Sequence, residues 1–129
     1  MIYADSSALV KLINAEAGSA SLRAWLAVRP EETLATNVIG VIEVQRVAAR
    51  IDAEAVALAT LLLIRVDQLE VLGATYALAA ALPPVTLRTL DALHVASAAQ
   101  APDVTAFVTY DHRMAEAAAL VGLPVVSPS

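Results

Sequence analysis

The sequence predicts an α/β fold, a three-layer α/β/α sandwich in which helices flank both faces of a short central parallel sheet. Three observations predict it. Residues 1–4 and 106–110 are apolar runs without the period-two alternation of a half-exposed strand. Helical stretches separate such runs along the chain, the order that builds a parallel sheet covered on both sides. The 129 residues are 59% hydrophobic and 16% charged, enough to bury one core and too apolar for disorder.

Taken in order, residues 1–4 read as a buried strand that runs into Asp5-Ser6-Ser7, a helix N-cap signature. The helix continues to about Asn14. Gly18-Ser19 restarts the chain, and Leu22, Trp25, Leu26 and Val28 give a second helix that stops before Pro30. Residues 33–36 form a short strand, after which Asn37 caps a helix carrying Val38, Val41, Ile42, Val47 and Ile51. Asp52 caps the next, with Val56, Leu58, Leu62 and Leu63. Residues 69–72 read as a weak strand and 73–82 as an Ala-rich helix halted by Pro83-Pro84. A helix over 88–100, a strand over 106–110, a helix over 111–121 and a strand over 124–126 complete the pattern. No linker or repeat divides residues 1–129, which read as a single domain.

Composition excludes several classes of function. The chain has no cysteine, so disulfides, thiolate zinc sites and cysteine nucleophiles are ruled out. Aromatics are only 4%, which leaves few platforms for stacking bases. Thirteen acidic against eight basic residues give a net charge of −5, unlike a protein that holds nucleic acid on a broad basic face. The longest uncharged stretch, residues 71–87, is broken by Gly73 and the two prolines, short of a membrane span. A soluble, cytoplasmic protein with no membrane partner is the expectation.

Most acids sit at element ends or on polar faces. Four do not. Asp5 follows Ile2-Tyr3-Ala4, and Asp111 follows Phe107-Val108-Thr109-Tyr110, so both stand at carboxyl ends of strands. In a parallel α/β sheet those ends line one crevice, where ligands bind. Glu43 lies between Ile42 and Val44, and Asp91 between Leu90 and Ala92, each on or beside an apolar helix stripe. Asp5 or Asp111 alone reads equally well as a helix N-cap. Four together are harder to dismiss, because two carboxylates about 4 Å apart repel by roughly 4 kcal/mol at an effective dielectric near 20. Such a group holds protons or binds a cation, and oxygen donors without cysteine favour Mg2+ or Mn2+.

These residues resemble the PIN domain family, and within it the VapC-type toxins of bacterial toxin–antitoxin pairs. The resemblance is carried by Met-Ile-Tyr-Ala-Asp5-Ser6-Ser7 at the start, by Glu43-Val44-Gln45-Arg46, by Leu90-Asp91-Ala92-Leu93-His94-Val95-Ala96, and by Val108-Thr109-Tyr110-Asp111-His112-Arg113. The closing Gly122-Leu123-Pro124-Val125-Val126 also matches, so the likeness runs the length of the chain. It implies a PIN-like sandwich and a divalent-metal-dependent ribonuclease (Mg2+, with Mn2+ as a substitute) that cuts structured cellular RNA. It also implies a homodimer, neutralised by a cognate antitoxin whose tail occupies the active-site groove. Asp5, Glu43, Asp91 and Asp111 would be the acidic quartet and metal ligands, Asp5 and Asp91 the firmest. Asn37 stands where many relatives have serine.

Around the quartet, Ser6 and Thr109 are candidates to hydrogen-bond Asp5 or the attacking water. His94, three residues after Asp91, reads as a core or supporting residue rather than a ligand, and His112 as exposed at the site mouth. Trp25 reads as core, and Lys11, the only lysine, either approaches the acids or stays on the surface. Arg46, Arg50, Arg88 and Arg113 flank the acidic motifs and are candidates to meet RNA phosphates. Two other readings remain: a catalytically degenerate PIN-like module that binds an antitoxin without cleaving RNA, and a phosphoacceptor receiver. The receiver needs a strand-end lysine that the chain lacks. No G-x-G-x-x-G exists for a dinucleotide site.

Overall fold

The computed structural model describes all residues 1–129. Its elements are β1 (Ile2–Ala4), α1 (Ser6–Ile13), α2 (Ser19–Ala27), β2 (Leu34–Asn37), α3 (Val38–Ile51), α4 (Ala53–Ile64), β3 (Asp67–Leu69), α5 (Gly73–Ala81), α6 (Thr89–Gln100), β4 (Ala106–Val108), α7 (His112–Leu120) and β5 (Val125–Val126). The five strands form one sheet in the order β3-β2-β1-β4-β5, and every pairing is parallel. The expected α/β/α sandwich is the observed one. No helix is long and apolar enough to cross a membrane.

The three layers follow from side-chain alternation in the central strands. Ile2 and Ala4 of β1, with Ala106 and Val108 of β4, point into a core completed by Leu9, Ile13, Leu22, Val44, Ala48, Ala55 and Ala59 from α1 to α4. Tyr3 and Phe107 point the opposite way, into a core with Ala92, Val95 and Ala96 of α6 and Met114, Ala117 and Ala118 of α7. Successive strand residues face opposite sides, so two covered faces require apolar residues at both parities. α6 is the most enclosed helix, with Asp91 through Ala98 all buried. Its alanines let neighbouring helices approach closely, and a helix buried all round carries little amphipathic signal.

Three expectations need correction. β3 covers Asp67–Leu69 rather than residues 69–72. It is an edge strand paired only with β2, so its polar residues face solvent, while Leu72 becomes the N-cap position of α5. β4 ends at Val108, not at residue 110: the Thr109 amide still reaches the Val126 carbonyl at 3.3 Å, but the Tyr110 amide turns to Ser7 Oγ on the way to α7. In α3 and α4 the buried positions are Gly40, Val44, Ala48, Ala55, Ala59 and Leu63. Val38, Ile42, Ile51, Val56 and Leu58 are exposed. Small residues make up most of the buried positions, and several larger apolar side chains are turned outward.

One of these small residues is irreplaceable on steric grounds. A Cβ on Gly40 would lie 2.2 Å from Thr36 Oγ1 and 3.2 Å from His94 Cε1, and Thr36 is fully buried. Gly40→Ala is therefore expected to cost about 1–3 kcal/mol of stability. Urea unfolding measures this, and a change below about 0.5 kcal/mol would show that Thr36 simply rotates aside.

Candidate active site

The sheet order places β2 on one side of β1 and β4 on the other, so the chain reverses direction between β1 and β4. The crevice beyond the carboxyl ends of those strands is a topological switch point. Asp5 follows β1 there, 1% exposed. It caps α1, its Oδ1 accepting from the Ala8 amide at 3.0 Å and from Ser7 Oγ at 2.7 Å. Its Oδ2 accepts from Thr109 Oγ1 at 2.6 Å. Asp111 caps α7 through Oδ1, which accepts from the Arg113 and Met114 amides at 2.9 and 3.0 Å. Both aspartates are thus N-caps through Oδ1, while Oδ2 is held by Thr109 in Asp5 and by Arg88 in Asp111.

Two sets of contacts tie the four acids to their neighbours. Thr109 links the first two, since its Oγ1 donates to Asp5 and accepts from the Asp111 amide at 3.1 Å. Arg88, at the N-cap position of α6, donates from Nε to Asp91 Oδ2 at 2.8 Å and from Nη2 to Asp111 Oδ2 at 3.4 Å. His94, one turn beyond Asp91 on α6, meets Glu43 Oε1 through Nε2 at 2.9 Å. Ser6, adjacent to Asp5 in sequence, donates to Glu43 Oε2 at 3.2 Å. Ser6 therefore holds Glu43 rather than Asp5, and Ser7 takes the place expected of it.

Electrostatics differ among the acids. Burial pushes the Asp5 carboxyl above its ordinary value of 3.8. The hydrogen bond to His94 holds the Glu43 carboxyl below the usual range. The Asp91 carboxylate raises the already high pKa of Arg88. No three Asp, Glu or His side chains close tightly enough around one point to hold a metal ion as they stand, and the cation between Asp91 and Asp111 is the Arg88 guanidinium. The donor set nevertheless fits a hard divalent ion: it is all oxygen, and Asp5 is a desolvated carboxylate whose charge no side-chain cation meets.

Other sequence candidates lie apart. His112 is exposed. Lys11 does not approach the acids; it pairs with Glu16 at 3.0 Å, donates to the Ala17 carbonyl and lies over the Tyr110 ring. Trp25 packs on the core with Arg29 over its face. Arg46, Arg50 and Arg113 are exposed. Asn37 is buried, capping α3 and donating to Ser97 Oγ and the Leu93 carbonyl, which fastens α3 to α6. Sequence reasoning missed Ser7, the Arg88 bridge and the Tyr3–His94 contact. Only the first two leave a local trace, a hydroxyl two residues after an acid and an i,i+3 charge pair.

An α/β sandwich with acids at the switch point defines a class of hydrolytic domain. The chain belongs to the PIN domain family, whose profile matches residues 2–120. It is 40% identical over 131 residues to Ribonuclease VapC35 of Mycobacterium tuberculosis, covering 99% of this chain and 97% of that one. It is 42% identical over 132 residues to Ribonuclease VapC47 of the same species, with the same coverages. Among solved structures it resembles Mycobacterium tuberculosis VapC20, a sarcin–ricin loop cleaving toxin, with TM-score 0.76 at 19% identity over 99% of this chain and 100% of that chain. It also resembles a chain of VapBC2 from Rickettsia felis bound to a promoter DNA fragment, with TM-score 0.78 at 16% identity over the whole of both chains.

The raised Asp5 pKa has a consequence for stability. The folded state holds this proton more tightly than the unfolded one, so stability is lost as pH rises from about 3.8 through the raised folded value. Asp5→Asn removes that loss. The variant is expected to melt higher than wild type at neutral pH without metal, with the gap closing as pH falls towards 4. A lower melting temperature at pH 7 would contradict it.

Proposed function

We propose that this protein is a divalent-metal-dependent endoribonuclease, the toxin of a toxin–antitoxin pair, with residues 1–129 acting as one PIN-like domain in the cytoplasm. The observation that carries the reading is the buried Asp5 carboxylate, lacking a cationic side chain of its own and joined through Thr109 to Asp111, whose carboxylate shares Arg88 with Asp91. Full-length likeness to proteins named as VapC ribonucleases supports the same reading.

Asp5 and Asp91, with Glu43 and Asp111, would hold the ion, Mg2+ or Mn2+. When bound it supplies charge relief on the scissile phosphate and a lowered pKa for water. The rest falls to the chain. Ser7, Thr109 and the Ala8 amide fix the Asp5 carboxylate in one orientation. Glu43, kept ionised by His94, offers an acceptor that orients the attacking water. Arg88, 64% exposed along its side chain, is free to exchange its carboxylate partners for an RNA phosphate, with Arg113 nearby on α7. Asp111 and Glu43 are more exposed than the buried Asp5 and Asp91, so the exposed edge of the site is where a structured RNA would meet it. A separate groove of about 620 Å³ between α5 and α6 is lined mainly by apolar residues and by none of the four acids.

An antitoxin and a second copy of the chain would cover the exposed apolar surface. Val38 and Ile42 on α3, Leu72 and Tyr76 beside and on α5, and Leu61 and Ile64 on α4 are pairs of exposed large residues three or four positions apart. Such paired exposure marks interaction surfaces.

The test is cleavage of structured RNA with Mg2+ or Mn2+. Asp5→Asn and Asp91→Asn are each expected to lower the rate at least about 100-fold, and chelation of the metal to abolish it. Equal activity in wild type and both variants rejects the reading. Antitoxin binding without cleavage by wild type would identify the degenerate interaction module instead.

A further inference from the structure

Behind Glu43 lies a buried chain of contacts that the acidic quartet does not explain. Tyr3 is fully buried in the middle of β1, stacked on Phe107 with centroids 5.4 Å apart and planes within 4°. Its hydroxyl lies 2.8 Å from His94 Nδ1. The imidazole, 1% exposed, stands nearly perpendicular to the phenol ring and reaches Glu43 through its other nitrogen. Gly40 lets the ring lie against α3, since a side chain there would meet His94 Cε1. Three elements, β1, α6 and α3, thus contribute one residue each to a line ending at a carboxylate of the site.

The donor and acceptor requirements of that line admit one arrangement of the singly protonated ring. A carboxylate oxygen only accepts, so at 2.9 Å the facing Nε2 must carry a hydrogen. Nδ1 then has only a lone pair and must accept from the Tyr3 hydroxyl. Burial keeps that hydroxyl protonated, well above the ordinary tyrosine value. With the hydrogen on Nδ1 instead, two lone pairs would face each other across the His94–Glu43 contact. We propose that Tyr3 and His94 are positioning residues: the Tyr3 hydroxyl fixes the His94 proton on Nε2, and that N–H holds one oxygen of Glu43 so that the carboxylate is aimed into the acidic quartet. Ser6 steadies the second oxygen from the opposite side. The role of Glu43 rests on the nuclease reading, whereas the tautomer does not.

The first test is the proton itself. Two-bond 1H–15N spectra of histidine-labelled, metal-free protein at neutral pH report which ring nitrogen is protonated. The exposed His112 is removed as His112→Gln, leaving a single imidazole. In the singly protonated ring the hydrogen is expected on Nε2, and a neutral ring carrying it on Nδ1 overturns the proposal. The second test is Mn2+-dependent stabilisation in thermal melts. Tyr3→Phe deletes one oxygen and is expected to raise the Mn2+ midpoint about tenfold while the unfolding transition stays cooperative. His94→Leu is expected to do the same, and His94→Gln, which still donates from the Nε2 position, to restore the midpoint to within about threefold. On RNA the loss should fall on kcat rather than KM, because Glu43 is displaced and not the substrate-binding surface. Wild-type Mn2+ midpoints in both Tyr3→Phe and His94→Leu overturn the positioning role. If Asp5→Asn proves fully active, the nuclease site is misassigned while the Nε2 tautomer still stands, so the two failures are distinguishable.

Discussion

Everything at the carboxyl end of the sheet is arranged around a carboxylate that has almost no contact with water. Removing an ionised carboxyl from solvent costs several kcal/mol even after relaxation, and Asp5 is 1% exposed. Part of that cost is offset by three hydrogen bonds, from Ser7, the Ala8 amide and Thr109. These bonds do not cancel the charge, and the carboxyl is still pushed upward by burial. A fold optimised only for stability would place a neutral N-cap here. A carboxyl kept in so dry a place is the structural feature on which the proposed ion site rests.

The same economy of groups recurs at Asp111 and Arg88. Asp111 satisfies two orphan amides of α7 with one oxygen. One oxygen is enough for the cap, so the capping role leaves the other carboxylate oxygen for a second partner, here Arg88. Arg88 holds Asp91 and Asp111 from a largely exposed position. A guanidinium this exposed is strongly screened by solvent, so its pairing contributes little to holding the two acids together.

Precision at the site comes from the enclosed helix α6. Asp91 and His94 lie one turn apart on it, both buried. Asn37 ties its Leu93 carbonyl and Ser97 hydroxyl to the start of α3. Because α3 also carries Glu43, the relative placement of Asp91 and Glu43 is set by buried contacts between two packed helices rather than by a loop. Side chains supported in this way keep their geometry.

The sequence by itself determined the succession of strands and helices, the caps at Asp5, Asn37, Asp52 and Asp111, and the four acids that stand in apolar surroundings. All of these are local signals: a capping residue acts within three positions, and an acid inside an apolar run is visible without knowing what it touches. Tertiary structure alone decided the rest. α4 is apolar on nearly every side, so periodicity could not say that Ala55 and Ala59 pack inward while Leu58 and Leu61 face out. β3 moved to Asp67–Leu69 because an edge strand tolerates polar residues and loses the apolar signature of its neighbours. Ser6 and Ser7 exchanged their expected partners because the turn of α1, not adjacency, sets which hydroxyl reaches which carboxylate. The Tyr3–His94–Glu43 line joins residues up to 91 positions apart, and no local spacing encodes a contact that exists only once sheet and helices are packed.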